Sequence, residues 1–446
     1  MMRRDYNRRT PVGRHTSGKA ARRDSFRTYH KSTGVLARLV VMLIITAAMP
    51  FLLQGAYLPS APAISLVDIL PEATPQPTPV PTPGPESYTL WQQNISKDQM
   101  DRIYMTWEYR PMTLDSIPPG VNVLSPTWFY VEDRNGVATV VDLYNVSDYV
   151  YTSWDPRQYV QYAHDNGIQV WATVSCLGTP ELAEQIVMDP NIQQTFISQV
   201  YDWVIRYDLD GICLDFEKMN PEHKTNYTEF ARNLKNQLPD QCIVSAAVTV
   251  IVSDSGGTNW YQCYDRMGLA GAVDYIAPML YDGHKASTME PVAGIDWVTL
   301  HLKRLLEEIP SEQLLMGVPF YGTDYPYQIF NGDIYNKQPL WEDSGYTTTP
   351  GQLRSALANG YFTRSDKTIT VDYWIDMGSW DEEISLCTYS FVDTDDVLHN
   401  IWVDDENSLY QKGLLCKRYN LAGVAVWRQG FGTEAMWNAL GQGMMN

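Results

Sequence analysis

The residues best able to do chemistry in this chain lie in one string, Asp210-Gly211-Ile212-Cys213-Leu214-Asp215-Phe216-Glu217. Side chains alternate along an extended strand, so Cys213, Asp215 and Glu217 share one face and Ile212, Leu214 and Phe216 share the other. Such a strand turns its apolar face toward covering helices and its acidic face inward. Burying two acids is costly unless they are hydrogen-bonded and used. Two carboxylates this close also repel, which pushes one pKa up. A protonated Glu beside an ionised Asp is the pairing that general acid catalysis needs, with the Asp orienting substrate or stabilising charge. The plain alternative is an acidic strand end held by a structural salt bridge. The chain also has 14 Trp and 29 Tyr, a rich supply of flat apolar faces. Trp107, Trp128, Trp171 and Trp427 all fall at or in predicted strands, where core packing is the competing use.

The elements that must position these groups alternate between strand and helix. Eight short apolar runs read as strands: Arg102–Trp107, Val121–Trp128, Ile168–Ser175, Gly211–Glu217, Cys242–Val250, Val273–Tyr281, Leu314–Tyr321 and Leu421–Trp427. Several are continuously apolar, as strands buried on both faces of a parallel sheet are. Pro180–Tyr207 is long enough for two helices, with a break at Asp189-Pro190. Pro221–Leu238 opens with Asn220 as a cap and Pro221 at the first helical position. Asp296–Glu308 and Asp405–Tyr419 have the same character. The fold class is therefore α/β, a (β/α)8 TIM barrel over 101–446, whose active site belongs at the carboxyl ends of the strands. An open doubly wound sheet is the runner-up, but no GxGxxG follows the first strand. Between strands 7 and 8 lie about a hundred residues, Gly322–Asn420, in which Thr368–Trp374 and the run around Cys387–Phe391 predict antiparallel strands. This predicts a small antiparallel β insertion subdomain, about 322–404, on the catalytic rim.

The acidic string resembles the DxxDxDxE signature of glycoside hydrolase family 18, the chitinase-like hydrolases. Asp210, Asp215 and Glu217 match three of its four acids. The likeness extends over roughly residues 100–435, through Gly120–Tyr130 (GVNVLSPTWFY), Met279-Leu280-Tyr281-Asp282, Pro291–Val298 (PVAGIDWV), Leu315–Gly322 (LMGVPFYG) and Gly423–Gly430 (GVAVWRQG). These segments look like the bacterial branch that degrades peptidoglycan, including spore-cortex lytic N-acetylglucosaminidases. The resemblance implies that Glu217 is the general acid and that Asp215 orients the substrate's 2-acetamido group. It implies that Tyr281 hydrogen-bonds the acetamido carbonyl, that Asp282 helps hold the sugar, and that Trp427 forms the apolar floor. It makes Asp210 a structural member of the motif, which is also grouped with Asp282, Trp427 and Trp128 on the substrate-binding side. The implied mechanism is substrate-assisted and retaining, an exception to the two-carboxylate scheme. The pattern is broken at Cys213, where the signature has a middle Asp. A small buried hydrophobe is the default reading of this thiol. His284 and Lys285 follow the strand-six motif and are expected to line the cleft, Trp402-Val403-Asp404-Asp405 resembles a rim segment, and His164 and His301 are read as surface or packing residues.

Composition narrows the partners. The chain has 446 residues, 44% of them apolar, which excludes a mostly disordered protein. Its net charge of −19 is unevenly spread: residues 1–38 carry eleven Lys/Arg against two acids, and residues 87–446 carry 22 against 47. So acidic a body argues against nucleic acid as partner. Six Cys are too few for a disulfide scaffold, and no CxxC or HExxH is present, so no metal or organic cofactor is expected. Residues 39–57 are uncharged and mostly apolar behind the basic arm 1–38, which predicts a transmembrane anchor with the amino terminus inside and the barrel outside the cell. A cleaved secretory signal with a site at Ala61-Pro62-Ala63 is the rival. Residues 58–100 are assigned to a stalk, whose stretch Pro71–Pro85 has seven Pro in fifteen residues and favours extended polyproline II. The resulting expectation is a membrane-tethered glycosidase acting on an N-acetylglucosamine-containing polysaccharide, peptidoglycan or chitin. The alternatives are a catalytically silent carbohydrate-binding barrel, or a chitinase or endo-β-N-acetylglucosaminidase acting on chitin or glycoprotein glycans.

Overall fold

A computed structural model of the chain describes Trp91 and residues 93–109, 117–143, 155–250, 259–282, 290–340 and 346–446. The basic arm, the predicted anchor 39–57 and the Pro-rich stretch lie outside these residues. Among the described residues no helix is long and apolar enough to cross a membrane.

The first strands are β1 (Ile103–Glu108), β2 (Val123–Arg134), β3 (Val137–Asp142), β4 (Gln169–Cys176), β5 (Gly211–Phe216), β6 (Ile243–Thr249), β7 (Tyr275–Met279) and β8 (Leu315–Pro319). A long excursion then supplies β9 (Gly322–Phe330), β10 (Asp333–Pro339), β11 (Tyr346–Thr348), β12 (Tyr361–Arg364), β13 (Lys367–Asp381), β14 (Leu386–Asp393) and β15 (Val397–Val403). Strand β16 (Gly423–Trp427) returns to the first sheet. Eight strands pair in parallel in the order β7-β6-β5-β4-β2-β1-β16-β8. One parallel bridge, Ile276 to Leu314, joins the two ends of that path. The result is a TIM-type barrel, and all eight strands expected from the sequence are present.

The helices follow local signals. They are α1 (Pro156–Asp165), α2 (Pro180–Met188), α3 (Pro190–Tyr207), α4 (Lys224–Gln237), α5 (Asn259–Gln262), α6 (Arg266–Ala270), α7 (Ile295–Leu305), α8 (Pro350–Asn359), α9 (Glu406–Arg418) and α10 (Glu434–Met445). The break at Asp189-Pro190 separates α2 from α3: the Asp189 carboxylate accepts from the N–H groups of Asn191 and Ile192, and Pro190 occupies a first-turn position. Helix α3 buries Phe196, Ile197, Val200, Trp203, Val204 and Tyr207, a three-and-four spacing that forms one apolar stripe.

Two cores result. The outer one lies between strands and helices. The inner one fills the lumen with Met105, Trp107, Val123, Trp171, Cys213, Ala247, Ala277, Leu315 and Ala425. Trp171 stacks on Tyr275 with ring centroids 5.5 Å apart. Gly211 is required beside them, because a Cβ there would stand 2.8 Å from the Trp171 ring.

The excursion forms an antiparallel sheet in the order β10-β9-β15-β14-β13-β12, with β11 pairing to β9. Helix α8 packs on it through Leu353 and Ala356, against Phe362, Ile369, Phe391, Ile401 and Val403. The sheet ends at Val403, and α9 belongs to the barrel wall.

Two features depart from the sequence reading. Strand β2 runs on past Trp128 and folds back onto β3 as a hairpin, turned by Asn135 (φ 60°) and Gly136 (φ 84°). Asn-Gly is the preferred pair for such a turn because both positions need positive φ. The assigned stalk is also too long. Trp91 and Ile95 are buried, and Asn438 of α10 accepts from the Ile95 N–H (3.0 Å) and donates to the Trp91 carbonyl (2.9 Å). Apolar side chains with a polar clamp hold this segment to the folded body.

Candidate active site

Strand β5 places its side chains as alternation dictates. Ile212, Leu214 and Phe216 point outward, and Phe216 sits among Phe196, Tyr227 and Phe230 with ring centroids 5.7–6.0 Å away. Cys213 and Asp215 point into the lumen. Glu217 lies one residue past the strand, and its N–H still donates to the Cys176 carbonyl at 3.3 Å, so the ladder reaches the acid.

The environment of these acids favours protonation. Burial pushes Asp215 well above the ordinary Asp value, the Glu217 charge pushes the same way, and the Ser175 hydroxyl, donating at 3.3 Å, pulls back. Burial likewise raises Glu217, against an indole N–H donated by Trp260 and the nearby Lys218 charge, while Asp282 adds to the rise. The two carboxyls titrate as a coupled unit.

Cys213 is fully buried in the lumen, and burial pushes its thiol up to about 11. It is a neutral small side chain at neutral pH, as its default reading held. Its strand neighbours are Thr173 on β4 and Ser245 on β6, so small groups line the wall below the acids.

The strand ends around β5 complete the site. Tyr281 and Asp282 follow β7. Burial raises the Tyr281 hydroxyl well above its ordinary value, and the charges of Asp282, Asp215 and Glu217 add to this, so it is a neutral O–H donor among three carboxylates. Asp282 stands at φ 54° and its carboxylate accepts from the Tyr321 hydroxyl. Lys218, immediately after the acid, also has positive φ, at 64°. Left-handed backbone at non-glycine positions is costly and concentrates where a fold must aim particular side chains. Trp427, at the end of β16, is half-buried with Trp107 beneath it (6.1 Å) and Tyr109 beside it (6.4 Å). The lumen thus rises through Trp107 to an aromatic surface at the mouth that holds the acids. Among the described residues no group of three or more His, Cys, Asp or Glu could hold a metal ion.

Other expected site residues are elsewhere. Trp128 is only 4% exposed and lies in the outer core, edge-on to Tyr159 of α1 (5.0 Å) and near Tyr207 of α3 (6.5 Å). Its place is between sheet and helices, on the same side of β2 as Leu124, while Val123 faces the lumen. The expectation of a sugar contact is corrected to core packing. Asp210 stands at the opposite end of β5 from Glu217. Its carboxylate accepts from the Val170 N–H at 2.8 Å and lies 2.8 Å from His164 Nε2. Seven residues at ~3.3 Å each put it roughly 23 Å from the acid, so it is a structural member of the motif and not a sugar ligand. Asp404 is buried against the Lys412 ammonium, and Asp405 caps α9, which makes the 402–405 segment a joint between sheet and barrel. His301 packs on Trp297 at 4.3 Å. His284 and Lys285 lie outside the described residues.

Trp260, on α5, is the contact of the acid that the sequence reading missed: its indole N–H donates to the Glu217 carboxylate. Its only forewarning was an aromatic pair, Trp260-Tyr261, in the loop after the strand adjacent to β5.

Known proteins share this chain's sequence pattern and its fold. A family described as "Glycosyl hydrolases family 18" matches residues 164–431. The chain is similar to an uncharacterised glycosylase, YvbX, of Bacillus subtilis (24% identity, 65% of this chain and 78% of the relative). It is also similar to a cortical fragment-lytic enzyme of Bacillus cereus (23% identity, 58% of this chain), of whose length it spans only 55%. Among solved structures, a chitinase from Chromobacterium violaceum shares the fold, with a TM-score of 0.60, 18% identity, and coverage of 76% of this chain and 98% of that one.

Proposed function

Because the chain belongs to glycosyl hydrolases family 18, we propose that it cleaves a β-linked N-acetylglucosamine polymer, with peptidoglycan as the substrate, by substrate-assisted retaining catalysis. The observation that carries the proposal is the half-buried Asp215–Glu217 pair at the carboxyl end of β5, both carboxyls raised by desolvation and flanked by the neutral Tyr281 hydroxyl. An acetamido N–H donating to Asp215 favours its ionised form, which leaves the shared proton to Glu217. Glu217 then protonates the glycosidic oxygen as the bond to the anomeric carbon breaks. The acetamido carbonyl oxygen, held by Tyr281, attacks that carbon from the opposite face and gives an oxazolinium ion. Asp215 stabilises its positive charge. Water, deprotonated by the Glu217 carboxylate, opens the ring with retention. Trp427 offers its face to the apolar side of the distorted sugar, and Asp282 accepts from its hydroxyls.

The apolar segment 39–57 behind eleven basic residues supports a single-pass anchor, and the Pro-rich spacer supports a barrel held outside the membrane, within reach of a cell wall. Tethering raises the local concentration of enzyme at an insoluble substrate. Fractionation of cells expressing the chain tests this: recovery in the salt-washed membrane pellet supports the anchor, and a soluble, shortened product in the medium refutes it.

The catalytic test uses the purified protein and its Glu217→Gln variant on peptidoglycan and on chitin oligomers, with products weighed by mass spectrometry. Fragments ending in reducing N-acetylglucosamine, released from peptidoglycan by the parent alone, are expected. Release from chitin only would change the polymer. Wall binding with no release from any substrate would replace the enzyme by a silent binding barrel.

A further inference from the structure

The hydrogen bond from Trp260 to the acid has a consequence for where the catalytic proton sits. We propose that Trp260 is a positioning residue that occupies one carboxyl oxygen of Glu217, Oε2, and so confines the transferable proton to the other, Oε1. This deepens the glycosidase reading and rests on it for the catalytic part only. The contact is between Trp260 Nε1 and Glu217 Oε2, and no other side-chain hydrogen bond to Glu217 is made among the described residues. An indole N–H is a donor only, so the oxygen it occupies is the acceptor, and a proton on the carboxyl goes to the remaining oxygen.

The donor is fixed from behind. The Thr249 hydroxyl, at the end of β6, donates to the Trp260 carbonyl at 2.7 Å. Arg266, 4% exposed, donates from Nε to the Thr249 carbonyl (2.8 Å) and from Nη2 to the Tyr261 carbonyl (2.9 Å). The Tyr264 hydroxyl donates to the Phe216 carbonyl at 3.0 Å, on the residue preceding the acid. One short segment, Trp260–Arg266, thus binds the end of β6, the end of β5 and the acid side chain together. A merely packed Trp would need none of these ties. A general acid whose two oxygens exchange roles freely presents its proton in the wrong direction part of the time. A fixed donor on one oxygen removes that freedom before substrate arrives, which is where preorganisation gains rate.

The same bond has a thermodynamic signature. An N–H donor interacts more strongly with a carboxylate than with a carboxylic acid, so it favours the ionised form. It opposes the upward push of burial and keeps the acid strong enough to give up its proton. Removing the donor raises the Glu217 pKa.

The experiment titrates the carboxyl directly. The full-length protein is labelled with 13C at glutamate Cδ, and the Glu217 resonance is assigned by its loss in Glu217→Gln. Its midpoint is then compared in the parent, Trp260→Phe and Thr249→Val, with melting curves as the folding control. The expected result is a midpoint about one to two pH units higher in Trp260→Phe and a smaller rise in Thr249→Val, where the indole is retained but loosened. On a chitin oligomer, kcat of Trp260→Phe falls by about tenfold or more, KM changes less, and the alkaline limb of the rate profile moves up with the titration. An unchanged midpoint in both variants overturns the proposal, whatever the enzyme hydrolyses. So does a lowered midpoint. A raised midpoint in a protein that hydrolyses nothing sustains the Trp260 contact and refutes the glycosidase reading.

Discussion

The antiparallel sheet contains a buried ionic cluster whose protonation must govern its stability. His399 on β15 is 3% exposed, with Nδ1 at 2.6 Å from Asp324 Oδ2 of β9 and Nε2 at 3.4 Å from Asp393 Oδ2 of β14. Arg364 of β12 donates to the same Asp324 oxygen at 2.6 Å, and Phe391 stacks on the imidazole at 4.6 Å. Burial pulls the His399 pKa down, but the two aspartates outweigh it and hold it above the ordinary His value. Protonated, His399 balances Arg364, Asp324 and Asp393 to zero net charge; neutral, it leaves one buried negative charge uncompensated. A group raised on folding contributes stability that is complete below its unfolded value, near 6.5, and is lost as pH rises through the folded value. Each unit of rise is worth about 1.4 kcal/mol. The perturbation is His399→Gln, which fills similar space and donates to one carboxylate but cannot be charged. Removing one partner of a buried pair costs about 3–5 kcal/mol, and Asp324 keeps Arg364, which argues for the lower part of that range. Urea unfolding at pH 6 and pH 9, followed by Trp fluorescence, measures it, since Trp374 lies 5.1 Å from Phe391 and reports on this part of the sheet. The parent is expected to exceed the variant by about 3 kcal/mol at pH 6 and by clearly less at pH 9. A difference that is the same at both pH values would refute the charge argument and leave a packing role for the imidazole.

Three further outcomes separate site from scaffold. Trp128→Ala should cost about 3–5 kcal/mol in urea unfolding and leave KM unchanged; a raised KM with little loss of stability would restore Trp128 to the cleft. Asp210→Ala removes an acceptor shared by Val170 and His164 and should destabilise by about 1–3 kcal/mol with an unaltered pH–rate profile; loss of the acid limb would show that Asp210 is felt at the active site. Cys213→Asp inserts a carboxyl into the apolar lumen two residues from Asp215, about 6–7 Å along the strand. At an effective dielectric of 20 a charge there is worth roughly 2.5 kcal/mol, so the acid limb of kcat/KM should move, and identical profiles for parent and variant would show that position 213 is electrostatically silent.

How much of this was legible in the sequence depended on whether the deciding force was local. Strand alternation alone separates Phe216 from Asp215, and the Asp189-Pro190 break is written in a cap and a fixed φ. The β2–β3 hairpin was equally local, since Asn135-Gly136 names its own turn. It escaped because a barrel strand was expected to end where its apolar run did. Trp128 was a different kind of miss. Both faces of β2 are buried, so its apolar run does not say which parity faces the helices, and the register shift between Thr127 and Phe129 in its pairing with β4 then turns Phe129 outward as well. No composition or spacing reports that shift. Trp260 was illegible for a third reason. Its role exists only because the ends of β5 and β6 stand side by side, a contact across 43 positions of chain.

Asp210 shows why a motif can bind distant chemistry to the scaffold. Its carboxylate accepts the Val170 N–H, across to β4, just before the β5 ladder begins. Asp274 does the same between β7 and β6, accepting the Val244 N–H at 2.7 Å with Lys235 at 2.6 Å beside it. Asn122 accepts the Tyr104 N–H at 2.8 Å and donates to the Arg102 carbonyl at 2.9 Å. Each residue sits just ahead of a strand and ties it to its neighbour at one residue level. A slip of one residue along such a pair would send every inward side chain outward. In β5 that slip would carry Asp215 and Cys213 into the helix layer and Phe216 into the lumen. The acids therefore stand at the mouth partly because an Asp at the other end of the strand fixes its register. Conserving the first acid of the motif and conserving the last are then demands of different kinds, one on where the strand sits and one on what it does.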